Sequence, residues 1–248
     1  MLDDPTSSGH LPHFVEKALI QTVSPVIELT TRAHAAGLTL RGAFHPAPSD
    51  AVPDLPDTRP AATLVVLGWV GGAQWPAFAA SPEAQDGAPH PLDRWSRRLI
   101  ETLAAETGAA PLFPFGGPPY HPFQRWAQRA EPVFPSPLGL LVHADHGLWH
   151  SYRGALAFAE RLDLPAPQAR AHPCESCIEK PCLKTCPVGA FTPGHYAVDR
   201  CAAHVRSPEG EACRQDGCLA RRACPVGPDL RYARQEASFY MKAFLAAR

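Results

Sequence analysis

The chain has 248 residues, 45% of them hydrophobic, with 23 Lys and Arg against 24 Asp and Glu for a formal net charge of −1. That apolar content is enough for a buried core, which excludes a disordered chain and a small scaffold held only by disulfides. A partner gripped through its phosphates calls for a basic excess, so no nucleic acid is expected.

Met1 is followed by "LDDPTSSGH", which lacks the charged start and apolar run of a secretory leader. With no run of ~18 apolar residues anywhere, a cytoplasmic protein without a membrane span is expected. "SPVIELTTRAHAAG" predicts a helix, with Ser24 as N-cap, Pro25 in its first turn and Gly37 as terminator. A proline-rich loop is expected after it. "ATLVVLGWV" is a continuous apolar run rich in β-branched residues, which predicts a buried strand over 62–70. "HPLDRWSRRLIETLAAETG" places Leu92, Trp95, Leu99 and Leu103 on one helical face and stops at Gly108. Phe115, Gly116, Gly117, Tyr120, His121 and Gln124 then fall in a Pro/Tyr/His-rich loop, where paired glycines allow close backbone approach. "LGLLVHAD" and "SYRGALAF" read as two further strands. Helices between strands predict an α+β or α/β layer around one sheet.

The stretch "DLPAPQARAHP" carries three prolines and reads as a linker. It divides the chain into a domain at 1–164, a linker at 165–173 and a cysteine-rich domain at 174–228. The final segment, "DLRYARQEASFYMKAFLAAR", predicts a helix over 229–248 with Leu230, Ala233, Ala237, Tyr240 and Phe244 on one stripe, packing back on the core.

All eight cysteines lie in the third segment, and "CESCIEKPCLKTCPVGA" holds four of them. Three chemistries compete for them. A disulfide framework belongs to short secreted chains. Structural zinc prefers two Cys-x-x-Cys knuckles, and only Cys174 with Cys177 makes one. A pair of iron–sulfur clusters needs four thiolates each, and proline after the last cysteine of a run is its further mark, found twice here as "CPVG". The segment resembles bacterial two-cluster ferredoxins. That resemblance implies two [4Fe–4S] clusters, one on Cys174, Cys177, Cys182 and Cys224, the other on Cys186, Cys201, Cys213 and Cys218. The gap in "CIEKPC" is two residues wider than the family's, and the second run is stretched. Its long separation of Cys201 from the rest is similar to the iron–sulfur domain of epoxyqueuosine reductases and reductive dehalogenases, which pass electrons to a cobalamin. Epoxyqueuosine reductases usually continue into a tRNA-binding helical region, which is not expected here.

"HADHGLWHSYRGAL" resembles a second family, the cobalamin-processing chaperones of the cblC type, through His143, Gly147, Trp149, Arg153 and Gly154. Weaker agreement covers Pro91, Asp93, Ala127 and Gln128. The resemblance implies an α+β fold: a nitroreductase-like cobalamin domain followed by a small ferredoxin-like domain and a C-terminal helix. It implies cobalamin bound base-off, without a protein ligand to cobalt, in a cleft of Phe115 to Gln124, Gln128, Trp149, Tyr152 and Arg153. Alone, Trp149 reads equally as a core aromatic, and Arg153 as a salt-bridge residue. His121, His143 and His146 form no recognised metal motif.

Together the two halves imply an oxidoreductase in which clusters reduce cobalamin and expel its upper axial ligand. A corrinoid-dependent reductase of an organic substrate and a plain electron carrier are the alternatives, with flavin as an alternative cofactor. The implied partner is a low-potential electron donor: a ferredoxin, a flavodoxin or a flavin reductase.

Overall fold

The computed structural model describes residues 25–192 and 194–248. Ser24, expected as a helix cap, lies outside them. The chain runs α1 (Pro25–Ala35), β1 (Thr39–Phe44), β2 (Thr63–Val70), α2 (Trp75–Ala79), α3 (Pro82–Gln85), α4 (Pro91–Thr107), β3 (Ala110–Leu112), α5 (Phe123–Ala130), β4 (Val133–Pro135), β5 (Leu141–His143) and β6 (His150–Phe158). Beyond an extended stretch follow α6 (Pro173–Ser176), α7 (Pro181–Lys184), β7 (Phe191–Thr192), β8 (His195–Tyr196), α8 (Val198–Arg206), α9 (Glu211–Asp216), α10 (Leu219–Arg222) and α11 (Arg234–Ala246). This is a mixed helix and strand protein. No described helix is long and apolar enough to cross a membrane.

The first half is built on a four-stranded antiparallel sheet in the order β1-β2-β6-β3. Strand β2 is apolar from Leu64 to Val70 because both of its faces are covered. Val65, Leu67 and Trp69 pack with Leu156 against α1 and α4, while Leu64 and Val66 pack with Ala155 and Ala157 against Phe123 and Trp126 of α5. Trp126 is fully buried, and its indole N–H donates to the carbonyl of Asp50 at 2.8 Å.

Two bulges interrupt the ladder. Between β1 and β2 the register jumps from Leu40 to Gly42, leaving Arg41 unpaired; between β2 and β6 it jumps across Arg153. A bulge re-aims a side chain, and here both re-aimed residues are arginines.

Three expectations are corrected. A strand, β1, precedes the proline-rich loop after α1. "LGLLVHAD" supplies only the three-residue β5, which pairs with β4 in a separate sheet. The loop expected around Gln124 gives way at Phe123 to α5, whose apolar residues Phe123, Trp126 and Ala127 recur at helical spacing.

The cysteine-rich half packs on the loop between β5 and β6. Leu138, Val142 and Leu148 share a core with Ala190, Phe191, Ala220 and Cys224. At the centre, Gly147 and Gly227, both at positive φ (58° and 63°), face each other's turns. A Cβ on Gly147 would collide with the carbonyl of Val226, and one on Gly227 would stand 2.8 Å from the carbonyl oxygen of His146. Helix α11 then lies against the first half, Phe239 meeting Trp75 and Phe78 at 5.4 and 5.3 Å.

Substitution separates the conformational cost of this joint from its contact cost. Gly139 also has positive φ, 74°, but nothing within 4 Å of a Cβ. Gly139→Ala should cost about 1 kcal/mol in denaturant unfolding, and Gly147→Ala about 2–4 kcal/mol because a backbone clash is added. Equal losses would mean that the two halves do not depend on this contact.

Candidate functional site

All eight cysteines are free thiols, and the fold sorts them into two sets across the sequence. Cys174 on α6, Cys177, Cys182 on α7 and Cys224 form the first. Burial pushes the Cys174 thiol up, with Cys224, Cys182 and Cys177 adding to it, and the Cys182 thiol rises through burial and then Cys224 and Cys177. Cys186, Cys201 on α8, Cys213 on α9 and Cys218 form the second and line one small cavity with Phe191 and Met241. Burial, with Cys201 and Cys213 close by, pushes Cys218 up to about 11. The Ala190 N–H donates to Cys186 Sγ at 3.3 Å. Among the described residues no three cysteine, histidine or acidic groups stand close enough to hold a single metal ion.

A second constellation lies at the edge of the sheet, where sequence reasoning placed Gln128, His143 and Tyr152 but neither Arg41 nor Glu131. Arg41, turned inward by its bulge, is 3% exposed and donates through Nε and Nη2 to Glu131 Oε1 at 3.2 and 2.9 Å. The Tyr152 hydroxyl donates to the same oxygen at 2.6 Å. His143 Nε2 faces Glu131 Oε2 at 3.6 Å. His143 Nδ1 accepts the N–H groups of Asp145 and His146 at 2.9 and 3.1 Å, so the ring proton sits on Nε2, toward the carboxylate. His146 stacks on His143 with centroids 4.1 Å apart.

Burial dominates the charges here. It raises the Glu131 carboxyl, opposed by Arg41 and Tyr152. It drives His143 down to about 3, helped by His146 and Arg41. His150, whose Nε2 lies 3.0 Å from the carbonyl of Leu141, is likewise taken down to about 3 by burial and by Arg41. The group forms the floor of a cleft of about 650 Å³, lined by Arg41, Gln128, Glu131, Phe134, His143 and His146, whose other wall is the extended stretch 165–170. Phe134 carries this wall toward the first thiol set: it stacks on His172 at 4.8 Å, and His172 Nδ1 accepts the N–H of Cys174 at 3.2 Å.

The residues expected to hold a corrin are not brought into one cleft. Arg153 points to the α4 face, where it donates to Ser96 Oγ at 2.9 Å and Asp93 Oδ1 at 2.5 Å. Phe115 joins it there, with the guanidinium 5.5 Å from its ring. Tyr152 points to the opposite face, as does His121, stacked on Trp126 at 5.4 Å. Trp149 is 2% exposed, with Tyr232 against one side at 5.3 Å and the Arg221 guanidinium over it at 4.7 Å. It is a joint residue between the halves. Gly116 and Gly117 lie in the loop ahead of α5, and Tyr120 is 66% exposed. Gln124 and Gln128 are exposed on α5, and only Gln128 reaches the cleft. Arg41 and Glu131 were missed because 90 positions separate them and neither lies in a local motif.

No protein-family model and no curated protein matches the sequence. Solved structures of epoxyqueuosine reductase are similar in shape. One, with an epoxyqueuosine-modified tRNA-Tyr stem loop, is 16% identical, covers 86% of this chain and 70% of that one, and superposes with a TM-score of 0.46. The Bacillus subtilis enzyme is 15% identical over 86% of this chain and 70% of its own, with a TM-score of 0.46. For the Streptococcus thermophilus enzyme the values are 15%, 84%, 70% and 0.45.

His150 offers a clean test of the buried network. A histidine held neutral when folded binds its proton more readily when unfolded, so it contributes stability above about pH 6.5 that is lost as pH falls toward 3. His150→Phe should therefore flatten the slope of unfolding free energy between about pH 4 and 6 by up to ~1.4 kcal/mol per pH unit relative to wild type. Parallel slopes would place His150 in solvent.

Proposed function

We propose that the protein is an iron–sulfur oxidoreductase whose thiols hold two [4Fe–4S] clusters, one on Cys174, Cys177, Cys182 and Cys224 and the other on Cys186, Cys201, Cys213 and Cys218, serving an acceptor in the Arg41–Glu131 cleft. One observation carries the reading: two sets of four free thiols, neither compact enough for a single ion, with the first connected to a cleft wall through His172 and Phe134. The donor chemistry fits the group. Around one zinc the sulfurs sit ~2.3 Å from the metal and so within about 4 Å of one another, whereas a cubane spreads them wider. The thiols of Cys174, Cys182, Cys213, Cys218 and Cys224 are held high by burial, so taking up the clusters would displace their protons.

A corrinoid is the acceptor that the 143–154 motif favours, and the cleft replaces the expected pocket as its place. Bound there, it would supply a metal centre that accepts single electrons and sheds an axial ligand. Arg41 and Glu131 offer charged hydrogen-bonding groups, Phe134 offers an aromatic surface, and the Tyr152 hydroxyl holds a proton directly behind Glu131. Trp149 and Arg153 take no part, being held by Tyr232 and Asp93.

Anaerobic reconstitution should give about eight irons with matching acid-labile sulfide, and Cys174→Ser and Cys186→Ser should each remove roughly half while leaving the other half's spectrum. Two zincs without sulfide would end the reading. Added cob(II)alamin should change from its base-on to its base-off absorption; no change with wild type would leave the iron–sulfur part standing and remove the corrinoid.

A further inference from the structure

The second thiol set lies beneath a different surface from the first. Met241 of α11 lines both the cavity of Cys186, Cys201, Cys213 and Cys218 and, on its other side, an open groove of about 690 Å³ between α9 and α11. The groove is built like a protein contact. Trp75, Phe239, Met241 and Leu245 give it an apolar centre, and Arg214, Arg234 and Lys242 give it a cationic edge with no carboxylate among the lining residues. Asp216 meets Arg234 at 3.4 Å from outside the lining. Arg214 is held in place by the carbonyls of Val205 and Ser207, which fix the guanidinium without neutralising it. Lys242 makes no ion pair among the described residues.

Resting on the cluster assignment above, we propose that this groove is the docking surface for the electron donor, a small acidic redox protein, and that electrons arrive at the Cys186–Cys201–Cys213–Cys218 cluster through the Met241 contact. A donor must come close to a cluster, and Met241 is the side chain shared by the groove and the thiol cavity. The first cluster is the one beside the cleft, so the two lie in series, the second facing the donor and the first facing the acceptor. In each encounter the donor loses one electron and the cluster gains one, with no bond made and no proton moved. A cationic rim around an apolar centre selects a partner of opposite charge and speeds its encounter.

The test uses reconstituted full-length protein and reduced flavodoxin, an acidic flavin protein, followed by anaerobic stopped flow, with dithionite as a donor that needs no docking. Reduction by flavodoxin should slow about tenfold as salt rises from about 0.01 M to 0.15 M, where screening tightens. At low salt Lys242→Glu should slow it about fivefold or more and weaken the salt dependence, while Arg59→Glu, a charge reversal in the proline-rich loop, should not. Dithionite should reduce all three proteins alike. If Lys242→Glu slows flavodoxin no more than Arg59→Glu does, the docking surface is elsewhere. If the reconstituted wild type holds no iron with acid-labile sulfide, the cluster assignment itself fails, and this inference with it. A salt-sensitive dimer that buries Lys242 would give the groove to a second copy of the chain and overturn the proposal.

Discussion

Two backbones touch where the turn after β5 meets the turn after Cys224, and this contact sets how the halves of the molecule relate. Both partners are glycines in the left-handed region, and neither position tolerates a side chain. Arg221 fastens the joint by donating to the carbonyl of Leu148, with its guanidinium over Trp149 and Tyr232 at 4.7 and 4.6 Å. The two "CPVG" copies therefore differ in use. Gly189, in the first, has φ 56° with nothing within 4 Å of a Cβ, so it only turns the chain. Gly227, in the second, turns the chain and makes the joint. Because His143 and His146 belong to one side and Cys224 to the other, the same contact that closes the core brings the cleft floor beside the first thiol set.

Register faults in the sheet supply the charges. A regular β1 would alternate its side chains between the two faces, and a basic residue buried on either would lack a partner. The bulge at Arg41 turns it to meet Glu131, with side chains 2% and 10% exposed. Removing two charges from water is costly unless further hydrogen bonds compensate. Tyr152 provides one, on the oxygen that also accepts from Arg41, while His143 Nε2 stands 3.6 Å from the other oxygen. The bulge at Arg153 does the equivalent on the other face, toward Asp93 and Ser96. A sequence pattern sees an arginine in a strand and reads a surface residue, because the fault that buries it has no local signature.

That limit explains what was legible. Helix α4 could be read because its apolar residues recur at helical spacing, and β2 because it is an apolar run rich in β-branched residues; a C-terminal helix could be read too, but it begins at Arg234, so Leu230 and Ala233 of the expected stripe precede it. The gathering of all eight cysteines in one segment was legible because it is local in the sequence. The cleft was not, since it joins Arg41, Glu131 and His143 from three elements by tertiary contact alone. Trp149 shows the opposite failure. Its place in a motif suggested a ring-facing aromatic, but burial behind Tyr232 and Arg221 decides its contacts, and the indole N–H is left without a protein partner.

The cysteine-rich half also differs from the sheet in what can hold it together. Its helices α6, α7 and α10 are four residues each, far below the ~12 at which a helix has appreciable stability alone. Its two strands form a ladder of two pairs. Such pieces gain order from what they surround, and burial pushes up the thiols of Cys174, Cys182, Cys213, Cys218 and Cys224 among them. A cluster in place of those protons, as proposed, would tie together segments as distant as Cys174 and Cys224 and, by binding only the folded arrangement, would add its binding free energy to folding. Gly227 and Arg221 connect these segments to the turn of His143 and His146, so under the proposed assignment filling the thiol sets would also steady the cleft floor.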